Sequence, residues 1–133
     1  MSFSIKDASE KLGIPPHTIR YYDKEGLLPS LQRDEHGNRV FEPEDLEWIK
    51  LMTCFRVTGM PVVALKQIVD LAMHGDSTIA ERRTILENHK LELQKRQLEL
   101  DQAFEAVNLK LEKYESIQKG KLDPATEFTM KSI

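Results

Sequence analysis

Apolar residues recur at helical spacing from the first residues of the chain onward. Ile5, Ala8 and Leu12 fall on one face of a short predicted helix, since they are three and four positions apart. Ser4 precedes this face and suits an N-cap, while Gly13 follows it and suits the left-handed position that ends many helices. The pattern therefore predicts a short, capped first helix.

A second helix is predicted almost directly after the first. Pro15 and Pro16 can open a helix, because a first helical turn tolerates proline. The helix is expected to run to about Glu25 and to be stopped by Gly26. Two helices joined by a tight, glycine-containing turn are typical of a helix-turn-helix motif.

The segment from Leu27 to Phe41 changes from helical to strand-like spacing. Turn-forming residues occupy positions 34–38, between two short pieces that end in Arg33 and begin at Arg39. A cluster of turn formers between two such pieces indicates a β-hairpin, or wing.

Two further helices are predicted between the wing and position 75. Pro43, followed by acidic residues, suits a helix start, because the helix dipole favours negative charge there. This helix is expected to reach Thr58-Gly59, and Pro61 opens the next, which ends near His74-Gly75. The second of the pair carries one apolar stripe, formed by Val62, Leu65, Ile68, Val69 and Ala72.

The stretch from Ser77 to about Gln118 contains no glycine or proline and shows a seven-residue repeat. Apolar or aromatic side chains recur at Leu86, Leu93, Leu100, Val107 and Tyr114, and a second set follows four positions later at Lys90, Gln97, Phe104 and Leu111. A helix of this length spans about 60 Å and cannot bury its stripe alone, so a partner chain is predicted. The repeat leaves parallel and antiparallel pairing open.

Composition and charge restrict the classes of function that the chain can have. The 133 residues carry a net charge of −3, and the first 41 hold as many acidic as basic side chains, so any DNA binding must come from placed cations. A single cysteine, Cys54, excludes an internal disulfide and a multi-cysteine metal site. No apolar run is long enough for a membrane span and no signal peptide is apparent, so we expect a cytoplasmic protein without cofactor or membrane contact.

The second predicted helix carries the strongest candidate chemistry. Arg20, Tyr21 and Tyr22 lie on it, and Arg33 and Arg39 lie on the wing. Arginine can pair with guanine edges or phosphate, and tyrosine hydroxyls can bond phosphate. Taken singly, the tyrosines could instead be core aromatics and the arginines solvated surface. The ordered set favours a DNA-binding helix with a flanking wing.

This stretch resembles the MerR family of transcriptional regulators. The similarity extends from Ile5 to about Gly75 and is most specific at Thr18-Ile-Arg-Tyr-Tyr-Asp23, at Gly26-Leu-Leu28 and at the Arg33 to Arg39 segment. The wing departs from the family pattern, because the usual Gly-Tyr-Arg-x-Tyr reads Gly-Asn-Arg-Val-Phe and a second proline is absent after Pro29.

The resemblance implies a mostly α fold: a winged helix-turn-helix DNA-binding domain, a helix pair forming a second wing, and a long dimerisation helix in an antiparallel coiled coil. It also implies a homodimer that binds a palindromic promoter and distorts it so that RNA polymerase engages. The DNA-contacting positions carried over to this chain are His17, Thr18, Arg20, Tyr21, Tyr22, Arg33, Arg39 and Lys66. The expected division is 1–75 for the DNA-binding domain, 76–118 for the coiled-coil helix and 119–133 for a tail.

The DNA-binding motif does not indicate the signal to which such a regulator responds. Metal-sensing members resemble one another in cysteines along the long helix, and no cysteine follows Cys54 here. A lone cysteine shortly before Thr58-Gly59-Met60 resembles the aldehyde- and nitrosative-stress branch (AdhR/NmlR-like regulators), in which a thiol senses electrophiles. Lys50 lies four residues earlier and would favour the reactive thiolate if it approached the sulfur. The alternative is a buried structural cysteine.

The sequence alone is also compatible with other functions. A regulator of the same family could sense a small ligand at the coiled-coil tip through the tail. A coiled-coil adaptor that binds protein would share the long helix but leave the Arg-Tyr-Tyr set unexplained. An enzyme is not expected, since no phosphate loop, nucleophile elbow or metal-ligand cluster occurs in the sequence.

Overall fold

The computed structural model describes residues 1–129, and within them the chain is mainly helical with one small hairpin. The five α-helices of this part are α1 Ile5–Leu12, α2 Pro16–Lys24, α3 Pro43–Val57, α4 Val62–Met73 and α5 Ile79–Gln118. Strands β1 Gln32–Arg33 and β2 Arg39–Val40 pair antiparallel, with Gln32 opposite Val40 and Arg33 opposite Arg39. The predicted order of helix-turn-helix, wing, helix pair and long helix is confirmed.

Local capping explains why the first helix has the predicted ends. The Ser4 side chain accepts a hydrogen bond from the backbone N–H of Asp7 at 3.1 Å, which satisfies one free donor of the first turn. Gly13 has φ +66 and donates its N–H to the Ser9 carbonyl, so the helix ends in a left-handed cap. Both interactions depend on residues within a few positions of the helix ends, which is why the sequence predicts them.

One hydrophobic core joins α1, α2, the hairpin and the α3–α4 pair. Its buried members are Ala8, Ile14, Ile19, Tyr22, Leu27, Leu28, Phe41, Ile49, Met52, Met60, Leu65, Ile68 and Val69. Phe41 is fully buried and its backbone exchanges two hydrogen bonds with Phe3, at 2.7 and 2.8 Å. The segment before α1 is thereby fastened to the base of the wing.

The start of α5 packs with this first unit, which comprises Met1–His89. Asp76–Thr78 forms a short 3₁₀ turn, in which the Thr78 hydroxyl donates to the Leu71 carbonyl of α4 at 2.7 Å. Arg82 adds a bond to the Gly75 carbonyl at 3.1 Å, and Ile85 packs against the core. The first turns of the long helix are therefore fixed to α4.

The second unit, from Lys90 onward, consists of the rest of α5 and the segment after it. Gly120 has φ +75 and ends the helix, and the following backbone N–H returns to the Ser116 carbonyl at 2.8 Å. The tail then folds back: the Tyr114 hydroxyl donates to Glu127, which raises the pKa of the phenol, and the buried Lys113 donates to Thr129. The predicted tail extends to 133, and positions 130–133 lie outside the described residues.

The heptad side chains of α5 remain on its surface. Leu86, Leu93, Leu100, Phe104, Val107, Leu111 and Tyr114 are between 36% and 65% exposed. Such a row of exposed apolar side chains fits the predicted pairing with a second chain, and the direction of that pairing stays a prediction. Among the described residues, no helix combines the length and apolar character needed to cross a membrane.

Phe41→Ala is predicted to destabilise the first unit by about 3–5 kcal/mol, because a fully buried ring would be replaced by a cavity. Urea unfolding followed by circular dichroism measures the change. Phe128→Ala is the matched control, since that ring is 87% exposed and its loss is expected to change the unfolding free energy by about 0.5 kcal/mol or less. Equal effects of the two substitutions would contradict the described core.

Candidate nucleic-acid interface

Helix α2 divides its side chains between the core and solvent. Ile19 and Tyr22 are buried on one face. The opposite face presents His17, Arg20, Tyr21 and Lys24, which are spaced as neighbours on a helix and are exposed. A cationic, partly aromatic stripe therefore faces outward from a helix whose other side is fixed in the core.

The end of α2 is held by two hydrogen bonds and by the burial of Leu27. Gly26 has φ +77, and the Leu27 N–H returns to the Tyr22 carbonyl at 3.0 Å, which closes the helix. Leu27 is fully buried, and its carbonyl accepts a hydrogen bond from the Trp48 indole of α3 at 2.8 Å. The orientation of α2 is therefore tied to α3 as well as to the core.

Tyr22 does not belong to the exposed face, contrary to the sequence-based assignment. Its side chain is only 4% exposed, and its hydroxyl lies 3.5 Å from the Thr53 hydroxyl of α3. Tyr21, by contrast, is 43% exposed, with its ring tilted 51° to that of Tyr22. The core takes Tyr22 because it lies three positions after Ile19, on the buried face.

Asp23 joins helix α2 to the wing. Its Oδ2 accepts from the Arg39 Nε at 2.7 Å and lies 3.4 Å from the Arg33 Nη2. The carboxylate is 20% exposed and the Arg39 side chain 22%, so this pair is largely shielded from solvent. Two arginines share one carboxylate, and the group keeps a net positive charge beside α2.

The tip of the wing is a hydrogen-bonded turn. Arg33 Nη1 donates to the Gly37 carbonyl at 2.7 Å, and Asp34 Oδ1 accepts from the N–H groups of His36 and Asn38 at 2.9 Å. Gly37 has φ +81, a conformation that side-chain-bearing residues rarely adopt. Arg33 thus links the turn at the tip to Asp23 on α2.

The structure brings five of the predicted residues around one concavity of about 670 Å³ between α2 and the wing. These are His17, Arg20, Tyr21, Arg33 and Arg39. Asp23 and Lys24 also line it, and the sequence-based reasoning did not select them. Lys24 lies four positions after Arg20, so helical spacing could have placed it on the same exposed face. The contact of Asp23 with the wing joins distant residues, and no local sequence pattern indicates it. Thr18 is half-buried in the first turn of α2.

Arg20 lies at the centre of this surface. It lines the concavity described above and a neighbouring one of about 540 Å³ between residues 2–6 and the wing. Within residues 1–129, no hydrogen bond or ion pair involves its guanidinium. An exposed guanidinium of this kind can bind a phosphate or a base edge without first losing an internal partner.

Lys66, on α4, lies apart from that concavity and is engaged by Glu25. Its Nζ is 2.8 Å from Glu25 Oε2, just beyond the end of α2. The hydrogen bond and the charge of Lys66 lower the pKa of the Glu25 carboxyl, and the same contact raises the pKa of Lys66. The contribution of this pair to stability is present at neutral pH and is lost as the pH falls through the lowered pKa.

Cys54 is exposed on α3, and its backbone is connected to His89 of α5 through one intervening residue, Thr58. Its carbonyl accepts a hydrogen bond from the Thr58 hydroxyl at 2.9 Å, and that hydroxyl lies 2.9 Å from the His89 Nε2. The Phe55 and His89 rings also meet edge to face, with centroids 6.2 Å apart. The exposure of the thiol excludes, for the described chain, the alternative of a buried structural cysteine.

Comparison with known proteins shows the family to which the chain belongs. Residues 3–72 match the family described as MerR HTH family regulatory protein. An uncharacterized HTH-type transcriptional regulator of Haemophilus influenzae is 39% identical over 86% of this chain and 85% of its own length. The HTH-type transcriptional regulator AdhR of Bacillus subtilis is 32% identical over 68% of this chain and 64% of its own length.

Solved structures show the same fold. The crystal structure of HiNmlR, described as a MerR family regulator lacking the sensor domain and bound to promoter DNA, superposes with a TM-score of 0.82. It is 38% identical, and the match covers 90% of each chain. A MerR family transcriptional regulator from Bacillus thuringiensis superposes with a TM-score of 0.75 at 33% identity, over 86% of this chain and 100% of that one.

Asp23→Asn is predicted to loosen the wing, because Arg33 and Arg39 would lose the charge that draws both to α2. Amide hydrogen exchange of the β1–β2 hairpin is expected to become faster, while exchange in α3 stays unchanged. Glu35→Gln is the control, since Glu35 lies at the exposed wing tip and pairs only with His36 at 3.7 Å among the described residues. If amide hydrogen exchange of the hairpin were unchanged in Asp23→Asn, the contact of Asp23 with Arg33 and Arg39 would not be what orders the wing.

Proposed function

Since the chain belongs to the MerR family of helix-turn-helix regulatory proteins, and is therefore a DNA-binding transcriptional regulator and not an enzyme, we propose that it acts as a homodimer on a palindromic promoter. In this proposal the dimer bends and untwists the promoter so that RNA polymerase engages it. The single observation that carries the assignment of the interface is the exposed Arg20 at the centre of the α2–wing surface, whose guanidinium has no partner among residues 1–129.

The residues around Arg20 take different roles in this proposal. Arg20 enters the major groove, where arginine pairs with guanine or with the flanking phosphate. His17, Thr18 and Tyr21 line the same helix and contact sugar and phosphate, while Arg33 and Arg39 place positive charge on the backbone beside it. Lys66 reaches phosphate from the second wing, formed by α3 and α4. Tyr22 supports the helix from the core instead of touching DNA.

The proposed homodimer rests on the apolar row along α5. Its exposed leucine, valine and aromatic side chains repeat every seven residues over several turns, which is the pattern that a second helix covers in a coiled coil. A dimer would set two α2 helices on successive half-sites, as expected for helix-turn-helix proteins on palindromes. The functional division into 1–75, 76–118 and 119–133 is part of this proposal.

Arg20→Ala is predicted to weaken binding to the operator by about 1–3 kcal/mol, because a base or phosphate contact is lost. Fluorescence anisotropy with an operator duplex selected by the wild-type protein measures the affinity, and sedimentation equilibrium checks that the dimer persists. Arg83→Ala is the control, since Arg83 is exposed on α5 and pairs with Glu87 at 3.4 Å. An intact Arg20→Ala dimer that binds as tightly as the wild type would refute the assignment of α2 as recognition helix.

For the signal, we propose that Cys54 reacts with electrophiles. The thiol is exposed, and its surroundings in the sequence resemble the aldehyde- and nitrosative-stress branch of the family. Addition of the thiol to an aldehyde forms a sulfur–carbon bond and transfers the thiol proton to the carbonyl oxygen. A nitrosothiol would pass its nitroso group to the Cys54 sulfur and leave as the free thiol.

The proposed route from Cys54 to α5 runs through the end of α3. The Thr58 hydroxyl lies within hydrogen-bond distance of the Cys54 and Phe55 carbonyls and of the His89 Nε2, so it connects the last turn of α3 to α5. An adduct on the sulfur adds bulk one turn before Thr58 on the same helix. Displacement of that turn would disturb the contact that joins α3 to the long helix.

Cys54→Ser is predicted to abolish induction of the target promoter by formaldehyde, methylglyoxal or a nitrosothiol while leaving DNA binding intact. Reporter expression measures the response, and mass spectrometry of the treated wild-type protein locates the adduct. Met73→Leu is the control, because it removes an exposed sulfur but keeps the thiol. Undiminished induction in Cys54→Ser would exclude thiol sensing and would favour a ligand at the coiled-coil tip.

A further inference from the structure

Glu25 has an electrostatically unfavourable position at the end of the recognition helix. It is the C-cap of α2, where the helix dipole favours cations over carboxylates. Its side chain is held by Lys66 of α4, with 2.8 Å between Nζ and Oε2, and both side chains are partly exposed, 43% for Lys66 and 32% for Glu25. A glutamate with an ordinary pKa is already ionised at neutral pH, and the contact with Lys66 lowers the pKa of Glu25 further. The pair therefore carries no net charge at a surface that faces DNA in the proposed function.

Asp23, two residues earlier, provides a direct comparison. It contacts two arginines, so one positive charge is left over for the DNA backbone. Within residues 1–129, Glu25 forms an ion pair with Lys66 only and cancels its charge, and the neighbouring Lys24 acts on it through charge alone. A phosphate that approaches Lys66 also meets the carboxylate that already holds the ammonium group, and two neighbouring anions repel each other. Asp23 and its partners therefore keep a net positive charge, whereas Glu25 and Lys66 keep none.

We propose that Glu25 competes with DNA phosphate for Lys66 and thereby lowers the affinity of the protein for DNA of any sequence. The inference rests on the proposed function, because it assigns Lys66 to phosphate contact. A phosphate contact carries no base information, so the effect of Glu25 is the same on operator and unrelated DNA. In this proposal Glu25 does not contact DNA itself, and it changes the affinity for DNA only through its contact with Lys66.

A double-mutant cycle tests the competition. Wild type, Glu25→Gln, Lys66→Gln and the double variant are titrated by fluorescence anisotropy against a duplex selected by the wild-type protein and a scrambled duplex of the same length. Each titration is repeated over a range of salt concentrations, because the slope of log affinity against log salt changes by about 0.9 for each phosphate contact. Glu10→Gln removes the same charge from an exposed site on α1 and serves as the matched control.

The expected result is a gain of about threefold in affinity for both duplexes in Glu25→Gln, which disappears in the Lys66→Gln background. Lys66→Gln is expected to flatten the salt slope, and Glu10→Gln to leave the affinity unchanged. No gain in Glu25→Gln would overturn the inference. An equal gain in both backgrounds would also overturn it, since Glu25 would then repel DNA independently of Lys66.

The same measurements separate this inference from the proposed function. Equal binding of the selected and the scrambled duplex by the wild-type protein would contradict sequence-specific recognition. The cycle on the scrambled duplex would still decide whether Glu25 competes for Lys66, because that contact is independent of sequence.

Discussion

The shared contact of Asp23 with Arg33 and Arg39 is the constraint on which the candidate interface depends. The wing has only two residues in each strand, too few for an independently stable hairpin. It is ordered by its attachment at two places: to residue 3 through the Phe41 backbone, and to α2 through Asp23. Because Asp23 lies on α2 and contacts both arginines of the wing, the wing cations and the exposed face of α2 form one surface.

Much of the fold could be predicted because its determinants are local. The ends of α1 follow from Ser4 and Gly13, and the exit of α2 follows from Gly26, whose positive φ is costly for other residues. The long α5 helix follows from the absence of helix breakers over its length. The seven-residue repeat predicted a partner chain for α5, and the family resemblance added that this partner is a second copy paired antiparallel, which stays a prediction.

Parts of the interface escaped prediction because they depend on distant residues. Helical spacing alone puts Tyr22 on the same face as Ile19, but its contact with Thr53 of α3 has no signal in the local sequence. The Glu25–Lys66 pair joins residues of α2 and α4 that no local pattern connects. The equal numbers of acidic and basic residues in positions 1–41 indicated a neutral segment. The structure shows which of its cations form ion pairs and that Arg20 forms none among residues 1–129.

The hydrogen bond from Trp48 to the Leu27 carbonyl has a practical consequence. The chain contains one tryptophan, and this contact places its indole beside Leu27, just after the end of α2. Indole emission depends on the polarity and hydrogen bonding of the ring. The intrinsic fluorescence of the protein is therefore an unlabelled optical signal from the base of α2, and movement of that helix on DNA can be followed without attaching a dye.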